Sequence, residues 1–170
     1  QGHTFYVVCP TEGPALVYDL GTGLWHTRGL WVTGEDAYEP LRQWCHVYGH
    51  GRHLVGDRSA GTVYVQSLSV GTDAGTPIRR VRTAPHVNER QQWLFGSQIT
   101  IGCETGLAAP LADETLDLSW SKDGGHTYTT PDARSLGAGG DYARLVKWHR
   151  APGRFQDLVL RAVTTAASPV

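Results

Sequence analysis

The chain has 170 residues, of which 40% are hydrophobic and 18% charged, with a net charge of -1. That length and composition support a buried core without staples, and they exclude a strongly basic nucleic-acid coat or an acidic disordered tail. No apolar run approaches the roughly 20 residues needed to cross a bilayer, so no membrane span is expected.

In chain order, Thr4–Cys9, Ala15–Asp19 and Leu24–Arg28 read as three strands. Pro10–Pro14 and the tight Gly21–Gly23 turn separate them, so residues 4–28 form a meander. The pattern returns at Cys45–Tyr48, Arg52–Asp57 and Gly61–Leu68. Leu16–Trp25 and Val55–Tyr64 share one logic: an apolar strand, an Asp near its end, a Gly-containing turn, then an aromatic on the next strand. Their offset is about 40 residues, the spacing of propeller blades. Between them, Asp36–Tyr48 carries Ala37, Leu41 and Trp44 at near-helical spacing, interrupted by Pro40, so at most one short helical turn is expected there.

A second region begins near Glu89. Gln98–Gly102 alternates within Gln92–Glu104, Gly106–Glu114 reads as a loop, and Thr115–Ser121 alternates cleanly. In that last segment Leu116, Leu118 and Trp120 share one face, with Asp117 and Ser119 on the other. Arg144–His149 and Phe155–Val163 complete the strands. The expected fold is therefore all-β, with propeller-like blades over residues 1–88 and a β-sandwich-like unit over 89–170. Because the chain opens on Gln1 and holds no methionine, it is expected to be a fragment or matured piece of a longer protein.

Ser121, Asp123, Gly125, Thr127 and Tyr128 match the Asp-box pattern S-x-D-x-G-x-T-W, with Tyr in the Trp place. Asp123 can accept from the amides of its own turn, Gly124 and Gly125 supply left-handed geometry, and Tyr128 packs back on the hairpin. This is a structural device wherever it occurs, so a glycosidase role would need a carboxylate pair or a tyrosine nucleophile as well. Arg79, Arg80 and Arg82 follow Thr76-Pro77. The chain has 13 arginines and 2 lysines. Arginine suits interface ion pairs, and the near-neutral total gives no field for phosphate binding. Thr76–Thr83 is therefore the candidate subunit contact.

Cys9, Cys45 and Cys103 are odd in number and far apart, so no disulfide framework is expected. Cys45 and His46, with His50 and His53, come nearest to a metal cluster, but lack the paired spacing zinc prefers. They read as strand and surface residues. His3, His26, His86, His126 and His149 have no partner at triad or metal spacing, and Gly137–Asp141 reads as a loop hinge rather than a phosphate loop. No catalytic residue, metal or cofactor is expected.

Five segments, taken in order, carry a family resemblance: Leu16–His26, Val55–Asp57 with Gly61–Tyr64, Thr72–Arg80, Leu118–Thr127, and Ser135–Tyr142 with Val146–Trp148. Together they resemble the C-terminal part of the packaged-DNA stabilisation or tail hub (nozzle) proteins of short-tailed bacteriophages. The resemblance implies a non-enzymatic virion protein of the phage tail, assembled in the host cytoplasm. It implies a ring, usually of six subunits, below the portal and adaptor, with tail spike, fibre or needle proteins as further partners. It also implies non-specific contact with exiting DNA and a part in closing the capsid after packaging. Residues 1–88 hold at most two blades, so propeller closure would draw on another part of a parent protein or on neighbours in the assembly. The alternative reading is a carbohydrate-binding or sialidase-like β-propeller fragment, suggested by the Asp box and 6 tryptophans. Carboxylates converging in a cleft would favour it.

Overall fold

The computed structural model describes residues 3–32, 37–67, 70–107 and 114–166. The chain divides into two compact units, Gln1–Val70 and Gly71–Val170.

In the first unit, β1 (Phe5–Val8), β2 (Ala15–Asp19) and β3 (Leu24–Arg28) form a three-stranded antiparallel meander. β4 (Leu30–Val32) pairs with β5 (Ala37–Glu39), and β6 (Gln43–Gly49), β7 (Arg52–Asp57) and β8 (Val63–Gln66) make a second meander. The shared logic of the two has a physical basis. Asp19 ends β2 and accepts from Gly21 N at 2.8 Å and Thr22 Oγ1 at 2.9 Å. Asp57 ends β7 and accepts from Ser59 N at 2.7 Å and Ala60 N at 3.0 Å. Each carboxylate thus closes its own turn, an Asx device that fixes where the next strand starts. The centre strands are the buried ones: Ala15 and Val17 in β2 and Val55 in β7.

The expectation of propeller-like blades is corrected here. Among the described residues no closed sheet and no propeller forms; the first unit is two open meanders and a short hairpin. Over residues 37–48 there is no helical turn. Pro40 removes a helical donor, and the ladder to β7 holds residues 43–49 extended. The two compact units divide at 70/71. The cause of that division is strand pairing: residues 80–83 and 87–88 ladder onto the last strand of the chain, so they belong to the second unit.

That second unit contains β9 (Thr72–Asp73), β10 (Thr76–Pro77), β11 (Arg80–Thr83), β12 (Val87–Asn88), β13 (Leu94–Ile101), β14 (Thr115–Ser121), β15 (Asp132–Ser135), β16 (Val146–Phe155) and β17 (Asp157–Thr164). β9 and β10 form a small hairpin. One sheet runs β11-β17-β14-β15, with β12 also on β17, and β13 pairs with β16 in the other. The inward faces meet in one apolar cluster: Leu116 and Leu118 from β14, Ile99 from β13, Val146 and Trp148 from β16, with Leu136, Ala151 and Ala166. Trp120, Leu160 and Ala162 pack against it. Alternation along β14 is as its sequence predicts, with Leu116, Leu118 and Trp120 turned to the core. Its polar face, however, is covered too. Ser119 and Ser121 are buried, and Ser119 Oγ donates to Arg161 O at 3.4 Å.

Leu118 is fully buried at the centre of this cluster. Leu118→Ala should therefore destabilise the second unit by about 2–5 kcal/mol. Denaturant unfolding of the full chain, followed by circular dichroism, measures this; a loss below about 1 kcal/mol would mean that the site collapses around the cavity or is not core.

Candidate functional site

The Asp-box segment is the hairpin leaving β14. Ser121 is the last residue of that strand, and its hydroxyl works in both directions. It donates to Asp123 Oδ1 at 2.5 Å and accepts from Gly125 N at 2.9 Å. Asp123 also accepts from Thr127 N at 2.9 Å and from Thr127 Oγ1 at 2.6 Å. Gly124 and Gly125 both have positive φ, at 75° and 94°, which a side chain would oppose. Thr129 closes the hairpin: its N donates to Trp120 O at 3.0 Å, and its Oγ1 accepts from Trp120 N at 3.1 Å. Tyr128 lies back against its own turn, its hydroxyl 3.4 Å from where Gly125 would carry a Cβ. Its ring takes the guanidinium of Arg161 on β17, with Cζ 4.0 Å from the ring centroid. That contact seats the hairpin on the polar face of β14 and β17.

Gly124 lies beside a second polar group that sequence reading did not assemble. His86 Nδ1 and Asp157 Oδ2 are 2.8 Å apart, and Asn88 Nδ2 is 3.5 Å from Asp157 Oδ1. The place where Gly124 would carry a Cβ is 3.9 Å from both the imidazole and the carboxylate. These residues are 71 and 69 positions apart in the chain, and only the pairing of β12 with β17 joins them. In the first unit His3 likewise bonds Asp19 at 2.8 Å, and His46 Nε2 meets His53 Nδ1 at 2.9 Å across β6 and β7.

The hydrogen bonds of the Asp-box segment hold its turn. Ser121 Oγ is engaged within its turn, so the Asp box presents no free nucleophile. Asp132 meets Arg134 at 2.9 Å and Asp141 meets Arg144 at 3.4 Å. Asp123 is also bound by its own turn, so each of these three acids is engaged with a near neighbour in the chain. Among the described residues no three His, Cys, Asp or Glu side chains converge on a metal position.

The three arginines separate. Arg79 precedes β11 and is half-buried, Arg80 and Arg82 lie on β11, and Arg82 is the exposed one. β11 is an edge strand, paired on one side to β17. Arg80 stands opposite Thr164 and donates through Nη1 to Ala166 O, so it ties the chain's last strand to the edge. Thr76 and Pro77 belong to the separate β9–β10 hairpin.

This two-sheet unit, with its Asp-box hairpin and an arginine-bearing edge strand, is a structural β-sandwich. Residues 79–170 match the family model described as bacteriophage P22 Gp10, beta-sandwich. The match covers more than half of the chain, and the chain belongs to that family. No curated protein matches it. The resemblance to phage tail structural proteins is met at that level.

Several carboxyls are held below their ordinary range. For Asp123 the cause is first the Ser121 hydroxyl, then the hydroxyl and N–H of Thr127. For Asp57 it is first the N–H of Ser59, against the opposing effect of burial. For Asp157 it is first His86. For Asp19 burial pushes upward, and Gly21, Thr22 and His3 together outweigh it. A carboxyl depressed on folding contributes stability that is present above its unfolded value, near 3.8 here, and lost as pH falls through its folded value. The melting temperature should therefore hold near neutrality and fall below about pH 4. Asp123→Asn should melt lower at neutral pH and lose less on acidification than the parent. Parallel acid curves for the two would contradict this role of Asp123.

Proposed function

We propose that the chain is a structural, non-enzymatic subunit of a bacteriophage tail. It belongs to a hub or nozzle ring below the portal and adaptor, which helps retain packaged DNA and forms part of the ejection channel. The observation that carries the reading is the family match, which spans the sandwich from the start of its arginine-bearing edge to the end of the chain. The sandwich has a closed core of its own and polar side chains engaged in turns, as befits a building block. An unpaired edge strand is a place where another chain can add. Arginine on such an edge favours a carboxylate-bearing partner held by bidentate pairs. The partners are further copies of the chain, in a ring of six, with portal and adaptor proteins above and spike, fibre or needle proteins below. Non-specific contact with exiting DNA fits the channel position, and the location is the virion tail, after assembly in the host cytoplasm.

The structure refines how this is tested. Arg80 is engaged inside its own subunit, so reversing it would damage the fold. Arg82 is exposed on the same strand. Arg82→Glu should leave the melting temperature of the chain unchanged and weaken its association, read by sedimentation velocity at matched concentrations. Unaltered association would remove the β11 edge from the interface.

A further inference from the structure

The net charge of -1 averages an uneven distribution along the chain. β13 and β16 form one antiparallel ladder, and residues 91–103 and 142–156, which contain them, hold none of the chain's 16 acidic residues. Ile99 and its partner Trp148 face the core. Alternation therefore turns Gln98 with His149, and Thr100 with Lys147, to the outer side. Beyond the bulge Phe95 stands opposite Arg154, and Phe95 is 76% exposed.

This outer side is cationic. Lys147 and Arg154 project from β16, and Arg150 is exposed at the bulge. Lys122 joins them from the hairpin after β14: its Nζ donates to Arg154 O at 3.0 Å, at the edge of the strand. Both lysines of the chain thus lie at one ladder. Among the described residues no carboxylate pairs with any of these four cations, whereas Arg42, Arg134 and Arg144 each meet an aspartate, at 3.7, 2.9 and 3.4 Å. Arg154 is oriented by an aromatic ring in place of an acid, with Cζ 4.1 Å from the Trp93 centroid.

We propose that the outer side of β13 and β16 binds the phosphodiester backbone of DNA without regard to sequence. This gives the DNA contact of the tail reading a surface on the chain, and it rests on that reading for its ligand. Unpaired cations along an acid-free strand pair complement a polyanion, and the phosphates they neutralise release counterions. Gln98 and Thr100 stand among them with uncharged donors of the kind that contact phosphate oxygens. The lysines favour phosphate over an acidic protein, because lysine is depleted at protein interfaces and serves phosphate as a point charge. Backbone contacts carry no sequence information.

The test follows the anisotropy of a labelled DNA duplex of about 20 base pairs with the dilute full chain, from about 50 to 200 mM salt. The parent should bind, and more weakly as salt rises. Lys147→Gln/Arg154→Gln should melt as the parent does, bind about tenfold or more weakly at the lowest salt, and show a salt slope reduced by about 2. Lys147→Gln alone, which leaves the Trp93 contact intact, should reduce it by about 1. Arg134→Gln/Arg144→Gln removes the same charge from cations that already have aspartate partners, and should bind as the parent. A parent that does not bind at the lowest salt, or equal weakening in the two double variants, overturns the proposal. So does displacement by polyglutamate as effective as by unlabelled duplex at equal charge, which would give the surface to an acidic protein. Sedimentation of Lys147→Gln/Arg154→Gln separates this surface from the ring. Association lost together with DNA binding would make the surface a subunit contact and overturn the proposal. A parent that binds DNA through these residues yet stays monomeric removes the ring alone.

Discussion

Trp148 organises the second unit. It is fully buried on β16, and its indole N–H donates to Asp132 O of β15 at 2.9 Å. One side chain thereby supplies the largest apolar volume of the core and a polar tie from the β13–β16 ladder to the opposite sheet. The ladder around it sets the spacing: Ile99 stands opposite Trp148, and Leu94 opposite Phe155 beyond a bulge between Gly96 and Gln98. Because the inward residues of β14 must meet this face, the register of β14 on β17 follows. With β17 in place, β11 and β12 add to its far side and carry Arg82, His86 and Asn88 to their positions.

What could be read from the sequence was what depends on near neighbours. Asp19 and Asp57 bind amides two or three residues on, and Asp123 binds Thr127 four residues on. Turn chemistry of that range leaves a mark in the residue order, and so does the period-two alternation of Thr115–Ser121. The parts that escaped depend on separation. His86 meets Asp157 across 71 positions, and Arg80 meets the Ala166 carbonyl across 86. Nothing in local spacing announces such pairs. The pairing of residues 80–88 is of the same kind, since they look like an extension of the preceding meanders until their partner strand is known. The expectation of propeller-like blades rested on a spacing of about 40 residues, whereas the described strands form open sheets.

The two units differ in how they satisfy their apolar side chains. The sandwich gathers Ile99, Leu116, Leu118, Leu136, Val146 and Trp148 inward. The meanders leave Tyr6, Trp25, Val47 and Val63 mostly in solvent, although their turns are as well made as the Asp box. Local hydrogen bonding fixes strand geometry without supplying a core, and a small sheet relies on its apolar face for independent stability. The family match covers the self-sufficient unit. A tail subunit built this way would combine a rigid block with a portion stabilised by assembly.

That division of labour is most directly tested by amide hydrogen exchange of the full chain, read by mass spectrometry at low and high concentration. β14, β16 and β17 should be protected at both. β1–β3 and β6–β8 should exchange quickly in the dilute chain and gain protection as it associates. Equal, concentration-independent protection of the meanders and the sandwich would contradict the account, because the first unit would then be stable without a partner.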